Sequence, residues 1–63
     1  MPGRLQDAIA VLDSAIALRP NDSESRHALG LALERAGRAT EAKVQLDSAA
    51  RLRPDLFARP GSR

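Results

Sequence analysis

At 63 residues the chain is at most one small domain, and a chain this short buries only about 60% of the surface its unfolded form exposes. Its formal net charge is +2, and nine of its ten basic residues are arginine, a bias that coding composition explains as readily as a binding signal. It has no cysteine and one histidine, so neither a disulfide nor a His/Cys metal cluster is available to brace it.

Targeting features are equally sparse. No apolar run reaches the roughly 18 to 20 residues that span a bilayer. The N-terminal stretch lacks a signal-peptide layout, because Asp7 and Asp13 interrupt its apolar segment. The cytoplasm is therefore the default expectation.

In chain order, Met1 to Gly3 reads as a short lead and Arg4–Leu18 as the first helix. Leu5, Ala8, Ile9, Leu12, Ala15 and Ile16 form one apolar stripe, while Ala10, Val11, Ala17 and Leu18 put apolar surface elsewhere. A helix that is apolar over most of its circumference is normally covered on more than one side. Pro20 to Asp22 is a turn. Asn21, Asp22 and Ser23 are all good N-cap residues, and Asn21 with Glu24 has the spacing of a capping box.

The second helix is expected over 23–36, with Ala28, Leu29, Ala32, Leu33 and Ala36 on one side. Gly30 inside it costs roughly 1 kcal/mol relative to alanine. Close approach to small residues such as Ala42 on the next helix is the expected reason. Gly37 follows, where a left-handed residue commonly ends a helix. The third helix is expected over 40–53, with Thr40 as its cap, Glu41 in its first turn and Ala42, Leu46, Ala49 and Ala50 on its apolar face. Pro54 disfavours the helical conformation at Arg53 and stops it. The short link between these two helices makes them antiparallel neighbours. The tail from Asp55 to Arg63 follows. Leu56 and Phe57 either start another helix or cover the last apolar face, and the chain from Arg59 onward is expected to be mobile.

The two halves are copies. GRLQDAIAVLDSAIALRP begins at Gly3 and GRATEAKVQLDSAARLRP at Gly37, an offset of 34 residues. Gly3/Gly37, Arg4/Arg38, Ala8/Ala42, Leu12/Leu46, Asp13/Asp47, Ser14/Ser48, Ala15/Ala49, Leu18/Leu52, Arg19/Arg53 and Pro20/Pro54 are identical without a gap. A fixed offset of this size signals a repeat array.

On these residues the chain resembles the tetratricopeptide repeat family, whose unit is two antiparallel helices in 34 residues. The family's Trp-x-x-Leu-Gly-x-x-Tyr is met by Arg26-x-x-Leu29-Gly30-x-x-Leu33, and its Ala-x-x-x-Phe, Ala and Pro by Ala42-x-x-x-Leu46, Ala49 and Pro54. The earlier copy supplies Ala8-x-x-x-Leu12, Ala15 and Pro20. The resemblance covers about residues 3–54, or one and a half repeats. It implies an all-α fold of three antiparallel helices, a piece of a helical solenoid, with residues 55–63 as a tail. The first helix aligns with the second helix of a repeat, so its own partner helix is not in the chain. By the resemblance, first helices line a groove for a partner's peptide. Projected here, that groove is Glu24, His27, Leu31 and Glu34, with Arg35 at its margin.

Catalysis finds no support. Asp13-Ser14 and Asp47-Ser48 recur with the repeat, and adjacent helical residues point about 100° apart, so neither pair converges with His27 as nucleophile and base must. No glycine-rich phosphate loop exists, because Gly30 lies within a helix and Gly61 is near the end of the chain. Phe57 is the only aromatic residue, which leaves no stacking platform for nucleic acid beside Arg51, Arg53, Arg59 and Arg63. No cofactor, metal, small-molecule substrate or membrane is expected. The expectation is a non-catalytic interaction or scaffold module that associates with itself through Leu5, Ile9, Leu12 and Ile16. The chain is then a homo-oligomer or a piece of a longer array. Peptide recognition through the groove residues is the alternative.

Overall fold

A computed structural model describes residues 2–57 of the chain. They form helix α1 (Pro2–Leu18), α2 (Ser23–Arg35), α3 (Ala39–Leu52) and a single turn, α4 (Pro54–Phe57). The described residues contain no strand. The fold is all-α, as the repeat pattern predicts. The tail from Arg59 onward lies outside the described residues.

Helix α1 begins two residues before the expected Arg4. Proline fits the first turn of a helix, where its missing N–H would have no partner in any case. The helix ends at Leu18 as expected. Four residues then turn the chain back, with Asp22 N–H donating to the Arg19 carbonyl at 3.0 Å.

The cap of α2 is Asp22 rather than Asn21. Its side chain accepts from Ser25 N–H at 3.3 Å and from the Ser25 hydroxyl at 2.8 Å. These bonds, the hydroxyl first, hold the Asp22 carboxyl below the ordinary 3.8. The sequence offers three capping residues in a row. The four-residue turn after Leu18 gives the middle one the extended backbone of a cap, at φ −78° and ψ 94°. Arg26 reinforces the same corner. Its Nε donates to the Pro20 carbonyl at 2.8 Å and its Nη1 to Gln45 Oε1 at 3.1 Å. One guanidinium thus ties the α1–α2 turn to α3, at the position the family usually gives to tryptophan.

Gly37 closes α2 in the left-handed region, at φ +80°. Gly37 N–H donates to the Glu34 carbonyl at 3.1 Å and Arg38 N–H to the Leu33 carbonyl at 2.9 Å, the paired bonds of a Schellman ending. Arg38 serves at once as the last residue of that ending and as the N-cap of α3, so α3 starts at Ala39. Thr40 falls inside the helix and caps nothing. No side chain caps α3. An ion pair from Arg38 to Glu41 lies beside its first turn instead.

Helices α2 and α3 meet more closely than any other pair. A Cβ on Gly30 would stand 2.6 Å from Leu46 Cγ and Cδ2 and 3.3 Å from the Ala42 carbonyl oxygen. The close approach expected of Gly30 is therefore real, but Leu46 is the first obstacle and Ala42 the second. Leu29, Leu33, Ala42, Leu46 and Ala49 are buried in the core. Helix α1 closes the other side of α2 through Ile9, which is buried, with Leu5, Leu12 and Ile16 packed half-buried around it.

Arg53 breaks the α3 helix, as the proline after it requires, and Pro54 then opens α4. Arg53 and Asp55 form an exposed two-pronged ion pair at 3.2 and 3.0 Å. The pairing raises the Arg53 pKa and lowers that of Asp55.

Candidate functional site

The residues expected to mediate self-association share one stripe of α1, and that stripe packs against α2. Ile9 is 5% exposed and belongs to the core, so a second copy touches it only if α1 leaves α2. Leu5, Leu12 and Ile16 keep part of their surface. The apolar side chains that α1 leaves in water are others: Val11 is 67% exposed and Leu18 83%. Ala8, Ala10 and Ala17 are exposed with them.

The signal for that division was present in the two copies. Ile9 and Ile16 of α1 stand where α3 has Lys43 and Ala50. Those are the positions at which α1 must hold α2 and α3 need not. The matched positions run the other way. Ala42 and Ala49 are fully buried in α3, whereas Ala8 is exposed and Ala15 half-buried in α1.

The expected groove positions on α2 separate into two groups. Leu31 and Arg35 lean toward α1 and, with Leu5, Ala8 and Leu12, line a shallow groove of about 280 Å³. That volume falls below the roughly 300–1,000 Å³ of small-molecule pockets and suits a few side chains of a partner. Its walls draw on residues from both expected sets. His27 faces the opposite end, where its ring stacks on Phe57 of α4 with centroids 4.5 Å apart and planes at 20°. Glu24 and Glu34 are exposed, and among the described residues neither forms an ion pair.

The stack between His27 and Phe57 was not anticipated. Its signal was Pro54, which lies 34 residues after Pro20 and opens the segment matching the earlier turn into α2. Where Pro20 to Asp22 is a turn, Pro54–Phe57 winds into one helical turn, and the Phe57 ring covers part of the surface that His27 would show to a partner.

No arrangement of reacting groups accompanies these surfaces. Ser14 is exposed on α1 and Ser48 half-buried on α3, while the His27 ring is engaged with Phe57. Among the described residues no group of three His, Cys, Asp or Glu side chains converges on a metal-sized site. No helix among them is long and apolar enough to cross a membrane.

Neither a curated protein nor a solved structure matches the chain. The family model described as tetratricopeptide repeat matches residues 2–59, which contain all four helices and the paired halves. The chain belongs to the tetratricopeptide repeat family, whose members serve in general to bind other proteins.

Proposed function

We propose that this chain is a non-catalytic protein-interaction module that associates with a second copy of itself through α1. The observation that carries the reading is the division of α1 into two apolar sides. Ile9 and its neighbours are spent on α2, and Val11 and Leu18 remain in water beside exposed alanines. Large apolar side chains grouped on one helix face of a small domain mark a contact surface. A second copy covers that surface and adds buried area to a chain too short to bury much alone. Sedimentation across a dilution series tests this. Mass should fall from twice the 6.7 kDa of one chain toward a single chain as concentration drops. A single-chain mass at the highest concentration refutes it.

The groove favours a second reading, recognition of a partner's peptide. Leu31 and Arg35 stand on its α2 side and Leu5 and Leu12 on its α1 side, an apolar floor with a cation at the margin. Pull-down with a peptide array separates the two readings. Leu31→Glu should abolish peptide capture and leave the oligomer mass unchanged if the groove is the site. Unchanged capture removes it.

A further inference from the structure

The self-association reading leaves open which side of α1 is shared and in which direction the second copy runs. Ala8, Val11, Ala15 and Leu18 follow one another at alternating steps of three and four residues, and Arg4 extends the series at its amino end. At 100° per residue all five lie within about 80° of one another on the helix surface. Alternating steps of three and four make the narrow seam by which two helices pack side by side at a shallow angle. The core-facing series Leu5, Ile9, Leu12 and Ile16 has the same steps and is already occupied by α2.

The molecule itself shows what part of this pattern accepts. Thirty-four residues on, Ala8 and Ala15 become Ala42 and Ala49, both fully buried, and the Ala42 carbonyl lies against Gly30 of α2. Small residues at these places let a second helix approach closely. In α1 Ala8 is exposed and Ala15 only half-buried.

We propose that two copies pair antiparallel along this seam. Ala8 then lies opposite Leu18 of the second copy, and Val11 opposite Ala15 of the second copy. The proposal rests on the self-association reading. The alternation of small and large residues selects the direction. Antiparallel pairing gives every layer one large and one small side chain, the arrangement that interdigitates. Parallel pairing stacks alanine on alanine and leucine on leucine, leaving some layers empty and others crowded. The arrangement is isologous, so it closes at two copies.

Charge agrees with the same direction. Among the described residues Arg4 forms no ion pair, and α1 has no basic residue in its last turn. In the antiparallel register Arg4 passes beyond Leu18 of the second copy, toward the negative end of that helix and Asp22 of the second copy. Arg19 stands at the same end, so this contribution is the smaller one. The rest of the seam carries no charge to repel its own copy.

The absence of cysteine makes the register measurable, because any introduced thiol is unique. Chains carrying Val11→Cys and chains carrying Ala15→Cys are mixed and oxidised. The mixed disulfide should dominate over either self-pair. Two copies of Cys at position 11 would be offset by four residues, about 6 Å along the axis, beyond easy bridging. Val11→Lys and Leu18→Lys, both at exposed positions, should retain helical circular dichroism and weaken association by about tenfold or more. Predominant self-pairing of Val11→Cys means a parallel arrangement and overturns the proposal. An oligomer that ignores both lysine variants and forms no mixed disulfide lies on another face; it overturns the seam and leaves self-association standing. A wild-type monomer at every concentration removes both. Saturable binding of a synthetic Ser23–Arg35 peptide in place of a second copy assigns the face to a helix like α2 and equally overturns the pairing.

Discussion

The stretches Gly3–Pro20 and Gly37–Pro54, which carry α1 and α3, share ten of eighteen residues in register, yet the molecule treats the two helices differently. Ala42, Leu46 and Ala49 of α3 are buried, and Ala42 and Leu46 bring α2 so near that only glycine fits at position 30. Ala8, Leu12 and Ala15 are the same residues at the same helical phase, and they are exposed or half-exposed. Identity of sequence therefore specifies a face able to receive a helix, and the presence of that helix decides whether the face becomes core. What differs between the copies is compensation. Ile9 and Ile16, where α3 has Lys43 and Ala50, give α1 a second apolar side by which it holds α2 from the opposite flank.

The largest effect should come from the leucines at matched positions. Leu46→Ala deletes a buried side chain and should cost about 2–5 kcal/mol. A chain of this size has little more than that to lose, so the urea midpoint should fall steeply, leaving a narrow folded range. Leu12→Ala removes a half-buried copy of the same residue and should cost about 1 kcal/mol. Urea denaturation followed by circular dichroism, at concentrations low enough to keep single chains, measures both. Equal losses would mean that the two faces are equivalent in solution and would break the comparison.

Much of the fold was readable before any coordinates, because packing residues leave periodic traces. The 34-residue offset gave the three long helices, Gly37 its left-handed ending and Gly30 the place of closest approach. Rotation was harder to read. Leu5, Ile9, Leu12 and Ile16 share one stripe, but which of them is fully covered depends on where α2 lies, and that follows from the length of the turn between the helices. Capping was ambiguous for a related reason. Asn21, Asp22 and Ser23 are nearly equal in preference, and only the turn after Leu18 selects Asp22. The contact between His27 and Phe57 depends on where α3 stops, a tertiary fact that Pro54 marks but does not aim.

A smaller effect sharpens the contrast at Gly30. Alanine there should gain about 1 kcal/mol of helix propensity. Its methyl group, however, meets Leu46 Cγ at 2.6 Å, closer than side-chain carbons approach without a shift. Overpacking of this kind costs about 1–3 kcal/mol, so Gly30→Ala should destabilise by a net of about 1 kcal/mol. The penalty should shrink when Leu46 is also alanine, because the nearer obstacle has gone and only the Ala42 carbonyl at 3.3 Å remains. A double-mutant cycle isolates that coupling. Additive effects would show that Gly30 is not held by Leu46, and the tight α2–α3 seam would lose its explanation.

The smallest effect concerns how the two long helices that follow a turn begin. Helix α2 has the Asp22 carboxylate as its cap, and α3 has no side-chain cap, so acid should loosen the first junction by a route the second lacks. The bonds from the Ser25 hydroxyl and Ser25 N–H depress the Asp22 pKa in the folded state. Its stabilising contribution is therefore complete above the ordinary value of 3.8 and is lost as pH falls through the lower folded value. Asparagine caps about as well as aspartate and does not titrate there. Thermal midpoints of wild type and Asp22→Asn, measured from about pH 5 to about pH 2, should run close together at the upper end and diverge at the lower, with wild type falling faster. The exposed Arg53–Asp55 pair titrates in the same direction in both proteins and contributes little in either. Parallel curves would assign the acid response to other carboxylates and leave the cap without a measurable share in holding α2 against α1.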